Sequence, residues 1–195
     1  MRVPALPFVA PAVVLIALAA AGGSPVKDQD VAACRTACQR LGSSLMSALG
    51  QALKEGGPVQ AISVCREKAP ALAAEISREE GMSVRRTALK VRNPANAPDA
   101  WERNMLEDFK RRLSTGEDGA TLEATEVTTM DGKPTLRYMK AITVGEPCLG
   151  CHGEALAPAV AAAIRRDYPQ DRATGFKKGD LRGAFSVRLP LPTAH

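Results

Sequence analysis

Residues 145–155 read GEPCLGCHGEA, and here Cys148, Cys151 and His152 have the types and spacing to do chemistry. Three kinds of site compete for them. A redox dithiol of the thioredoxin kind expects a strand feeding a Cys-x-x-Cys helix inside a βαβ unit, whereas this motif follows Pro147 and a hairpin-like stretch. Structural zinc needs four tetrahedral ligands. Cys151 and His152 are adjacent and project differently, and the other of the chain's 2 histidines is the terminal His195. Covalent haem attachment uses all three residues: both thiols add to porphyrin vinyl groups, and the histidine that follows becomes an axial iron ligand. The motif therefore predicts one haem c on Cys148 and Cys151, with His152 as proximal ligand.

The residues leave the other side of such an iron open. His195 ends the chain, Met105 belongs to a helical stripe and Met139 to a strand. Cys34 and Cys38 lie four apart in a helical pattern, which sets their Cβ atoms about 5–6 Å apart, against the roughly 3.8 Å a disulfide needs. They are read as small buried apolar residues, unbridged to each other. Cys65 sits mid-helix on an apolar face with no cysteine near it in sequence. It is either an inert core thiol or the sixth ligand, and an open sixth position is a further alternative.

These residues must be positioned by helices and a sheet. Apolar residues at 34, 38, 41, 45, 49 and 53 predict a helix from Val31 to about Leu53. EGGP (55–58) ends it and opens a second, with Val59, Ile62, Cys65, Ala69, Leu72 and Ile76 on one face, a break or kink at Pro70, and a stop at Gly81. A strand is expected over 83–91. Asp99 and Glu102 form a capping-box pair ahead of a helix striped by Trp101, Met105, Phe109 and Leu113. Asp131-Gly132 predicts the turn of a hairpin. PAVAAAIRRDYP reads as a short helix and 181–189 as a last strand. Helices around a small antiparallel sheet make the class α+β.

The chain has 195 residues, enough for one domain, with 45% hydrophobic and only 4% aromatic residues, so a core of stacked rings is not expected. The net charge of +5 is scattered among 21 acids without a basic block, so no nucleic-acid partner is expected. Residues 1–21 carry one basic residue and an apolar run ending Ala19-Ala20-Ala21, the pattern of a signal peptide. The dense run is too short to span about 30 Å of hydrocarbon. Residues 22–30 read as a linker and 31–195 as the working domain, exported to the periplasm. Membrane association is expected only through the signal segment, if uncleaved.

AISVCREKAP, RRTALKVRNPANAPDAWE, RYMKAI, CLGCHG and YPQDRATGFKKGDLRGAFSV, in that order over residues 31–190, resemble a family of exported single-haem c-type proteins, the Tll-type haem domain. The resemblance implies a PAS-like α+β fold and His/Cys ligation of the iron. Cys148 and Cys151 match the thioether pair, His152 the proximal ligand and Cys65 the distal thiolate. Cys34 and Cys38 lie outside the family pattern. The family's usual proposed role is redox or gas sensing, and its module also occurs fused to signalling proteins.

Three functions are compatible with such a haem. Thiolate binds ferric iron more strongly than ferrous, and a 1,000-fold weakening on reduction lowers the potential by roughly 180 mV, at about 59 mV per tenfold for one electron. That suits a redox or small-ligand sensor acting on a signalling protein. An electron carrier serving a redox partner favours unchanged ligation in both states. Catalysis at an open haem expects a distal acid–base pair, which the motifs do not supply. For the haem propionates, Arg137, Lys140, Lys90 and Arg92 are candidates; the alternative is that they are solvated strand-edge charges.

Overall fold

In the computed structural model, residues 26–193 are described. The segment read as a signal peptide and the terminal His195 lie outside them. A long helix, α1 (Asp28–Glu80), opens the fold in two arms. It begins at Asp28, inside the stretch read as linker, where Asp30 accepts a hydrogen bond from the Lys27 amide at 2.9 Å. The arms meet at Gly56 and Gly57, whose φ of −150° and 70° leave the helical region. Only glycine reaches such a positive φ without strain. The chain then folds back, so that Arg40 of the first arm pairs with Glu79 and Glu80 at the end of the second. Pro70 does not break the second arm: its backbone stays helical. Gly81, left-handed at φ 64°, ends it.

Strands β1 (Ser83–Thr87), β2 (Glu123–Met130), β3 (Lys133–Thr143) and β4 (Leu181–Pro190) form one antiparallel sheet in the order β1-β4-β3-β2. Asp131 and Gly132, both at positive φ, make the β2–β3 turn. β1 stops at Thr87, short of the expected Val91. Beyond it the backbone turns to other partners: Ala88 N donates to Asn96 O and Arg172 N to Val91 O, at 3.4 and 2.9 Å.

The sheet is covered on both faces. Cys34, Leu41, Ile76, Val84, Tyr138 and Val187 form the core between it and α1. Helix α2 (Ala100–Ser114) covers the other face, where Leu106 and Phe109 pack on Leu122, Met139 and Ala184. The capping box at Asp99 forms as the sequence predicts, with each partner bonding the other's backbone amide at 2.9 Å. Glu102 is also fully buried, accepting from Ser186 Oγ at 2.6 Å and from Arg85. This is the expected α+β class: an antiparallel sheet with flanking helices behind long N-terminal helices.

Candidate functional site

The excursion between β3 and β4, residues 144–180, carries the Cys-x-x-Cys-His. Its neck is closed where Val144 N donates to Asp180 O and Gly179 N to Val144 O, both at 2.9 Å. Glu146–Cys148 form one 3-10 turn, which runs into the single-turn helix α3 (Leu149–His152). Helix α4 (Pro158–Asp167) follows, with a proline in its first turn as the sequence suggests. It packs Val160, Ala163 and Ile164 on Ile62 of the second α1 arm. Ser63 Oγ donates to Asp167 Oδ2 at 2.9 Å and pins the two helices together.

His152 is held from behind. Its Nδ1 lies 2.6 Å from the Ala173 carbonyl oxygen, which fixes the tautomer with the proton on Nδ1 and leaves the Nε2 lone pair free. Burial, with Arg182 and Arg92 adding like charge, pushes the imidazole pKa down to about 3, so the ring is neutral. Its edge meets Phe176 at 6.3 Å and 86°. His152 O and Gly153 O accept from Phe176 N and Gly175 N at 3.0 Å, tying the turn to residues 173–176. Arg92 clamps the same two segments. It donates to Cys151 O at 2.7 Å and Ala173 O at 3.3 Å, and its Nε pairs with Asp171 at 3.0 Å.

Cys65 is half-buried and shares neighbours with this turn. Burial raises its thiol pKa, as does Cys151, while nearby Arg86 and Arg92 act in the opposite direction. Arg92 thus lies within electrostatic reach of both Cys65 and His152. All five cysteines are free thiols. Cys34 and Cys38 are buried in the α1–sheet core, at 0% and 2% exposure, away from the turn. Among the described residues, no three His, Cys, Asp or Glu side chains converge on a point that could hold a bare metal ion.

The four cations singled out for propionates divide. Arg137 pairs with Asp99, and its guanidinium sits over Trp101 at 4.3 Å, with Nε unpartnered. Lys140 donates to Ala120 O at 2.5 Å and lies 3.9 Å from Glu123. Both are committed at other parts of the sheet. Lys90 lies beside the turn, over Phe176 at 5.0 Å, and Arg92 is spent on the clamp. Two arginines beside the turn had no signal in the sequence, Arg86 and Arg182. Burial lowers the pKa of both, and Arg182, which also feels Arg92 and Arg86, falls to about 10.

A two-faced antiparallel sheet with a Cys-x-x-Cys-His turn slung between its two central strands defines an α+β protein. The family model described as Tll0287-like matches residues 24–190, and the chain belongs to that family. The crystal structure of the cyanobacterial heme-protein Tll0287 is similar to it, with a TM-score of 0.64 and 29% identity. That likeness covers 87% of this chain and 100% of the other. No curated protein matches the chain.

Proposed function

We propose that this chain is an exported, periplasmic c-type haem protein with one haem, acting as a redox or small-ligand sensor. Cys148 and Cys151 carry the haem as thioethers, His152 is the proximal iron ligand and Cys65 the distal one. The observation that carries the reading is His152: a neutral imidazole, oriented through Nδ1 by a backbone carbonyl, presenting a free Nε2 beside two free thiols. Membership of the Tll0287-like family, and a similar structure described as that of a heme-protein, support it.

The donor set fits the group. A soft thiol and an imidazole are both iron ligands, and the carbonyl behind His152 is the outer-shell partner that raises imidazole basicity. When bound, the haem would supply one-electron chemistry. The chain's own residues orient and exclude water: Arg92 and Asp171 fix the His152 turn, and Val160, Ala163 and Ile164 hold Cys65's arm against it. Cys65 comes from a separate helix, so it would hold the iron independently of the Cys148 and Cys151 anchor. Among the described residues no helix is long and apolar enough to cross a membrane.

The test is spectroscopic. Acid–acetone treatment of the wild type should leave haem with the polypeptide, and full extraction would refute covalent attachment. Cys65→Ser should change the oxidised spectrum, raise the potential and open the ferric iron to added ligands; a wild-type spectrum and potential would remove Cys65 from the site. Carbon monoxide binding to the reduced wild type supports sensing. A reduced iron that stays six-coordinate and refuses it favours the electron-carrier alternative.

A further inference from the structure

Resting on the haem reading above, we propose that Arg86 and Arg182 bind the two haem propionates, and that Arg92 does not. Every other arginine among the described residues that is not exposed has a carboxylate partner. Arg85 pairs with Glu102, Arg92 with Asp171, Arg112 with Asp108 and Glu117, and Arg137 and Arg188 with Asp99. Arg182 makes one hydrogen bond, to the Lys90 carbonyl at 3.3 Å, which leaves the rest of its fork unused. The Arg86 side chain has no hydrogen bond or ion pair among the described residues, its backbone being part of the β1–β4 ladder.

The backbone aims both at the site. In the β3–β4 ladder Ile142 faces Gly183 while Thr143 faces Leu181, so Arg182 is the extra residue of a β-bulge. Bulges re-aim side chains, and here the alternation resets: Leu181 and Ala184 both pack toward α2. Gly183 permits this, since a Cβ there would lie 2.3 Å from Thr87 O. Arg182 lands 5.6 Å from the Phe176 ring centre, the same ring that His152 meets edge-on. Arg86 shares the α1-facing side of β1 with Val84, two residues before it, and so faces the arm that carries Cys65.

The charges around the turn do not balance without a ligand. Arg86 and Arg92 both lie within electrostatic reach of Arg182, and Asp171 is the carboxylate that acts on Arg182 beside them. Half-buried guanidiniums without anions are costly, and a planar fork pairs best with carboxylates. Two propionates supply the missing pair of negative charges. Arg92 already spends Nε and Nη2 on Asp171, Cys151 O and Ala173 O, and its charge is matched by Asp171. Lys90, over Phe176, adds charge at the rim.

The test uses the haem-loaded protein. Arg86→Met and Arg182→Met, with exposed Arg103→Met as control, are measured for haem content by intact mass and for midpoint potential. Each site variant should retain the haem and favour the ferric form about tenfold more than wild type, about 59 mV lower in potential. The control should not shift, and Arg→Lys at either site should recover part of the change. Fully loaded methionine variants with wild-type potential would overturn the proposal. If a methionine variant accumulates no haem, urea unfolding of its haem-free chain decides. Wild-type stability then assigns the arginine to haem binding, and collapsed stability assigns it to the fold and overturns the proposal. A wild-type mass without haem would instead sink the haem reading itself.

Discussion

Replacing Arg92 with methionine removes the clamp while keeping an aliphatic side chain in its place. Arg92 and Asp171 are 13% and 8% exposed, so the pair is shielded from solvent. Removing one partner of a buried ion pair costs about 3–5 kcal/mol, because the other charge is left uncompensated. Asp171 still accepts from Ala173 N at 3.1 Å, which favours the lower end of that range. The carbonyls of Cys151 and Ala173 also lose a charged donor, though the Ala173 oxygen keeps His152. The expected loss is about 3 kcal/mol, or roughly 6–12 °C in Tm for a chain of this size. Urea unfolding followed by far-ultraviolet circular dichroism, extrapolated linearly to water, measures it. Asp171→Asn should cost a similar amount, and the double variant should be little worse than either single one, a coupling of about 2 kcal/mol. A loss under about 1 kcal/mol for Arg92→Met, or additive effects in the double variant, would refute the reasoning.

Glu102→Gln should destabilise by about 2–4 kcal/mol in the same assay, since it leaves Arg85 without its anion at a fully buried position. A neutral result would mean that Arg85 is solvated instead. In the haem-free chain, the His152 pKa is depressed from about 6.5 unfolded to about 3 folded, so the unfolded state binds the extra proton. Stability should therefore be fully present above about pH 6.5 and fall toward pH 3, by about 4–5 kcal/mol in total. His152→Gln should remove that slope, and an unchanged pH profile would contradict it. Cys34→Ser, at a position with 0% exposure, should cost about 1–3 kcal/mol while leaving the oxidised visible spectrum unchanged. A spectral change would tie Cys34 to the site.

The parts legible in the sequence were those set by local rules. The glycine pair at 56–57, the capping box at Asp99, the Asp131-Gly132 turn and the Cys-x-x-Cys-His each announce themselves within a few residues. Pro70 misled because a proline costs a helix only one amide bond and one steric adjustment, which packing of the surrounding arm offsets. β1 was overextended because propensity does not see that the backbone beyond Thr87 bonds Asn96 and Arg172 instead of β4. Arg137 and Lys140 looked free because their partners, Asp99, Ala120 O and Glu123, come from elsewhere in the chain. Arg86 and Arg182 were missed for the opposite reason: what marks them is the lack of a partner, which only a folded neighbourhood reveals.

The bonds that fix the Cys-x-x-Cys-His turn to the rest of the fold span long stretches of chain. Ser63 and Asp167 are 104 residues apart and Arg92 and Asp171 are 79 apart, whereas the Cys-x-x-Cys-His turn is local. Loop closure makes such distant contacts slow to form, so the turn's surroundings come together only with the rest of the fold. The amides of Gly175 and Phe176, bonded across to Gly153 and His152, should therefore exchange with deuterium at rates matching global unfolding rather than local fraying. The thiols of an unfolded chain, by contrast, are reachable with nothing else in place. Cys148 and Cys151 are thus accessible before the fold forms around them.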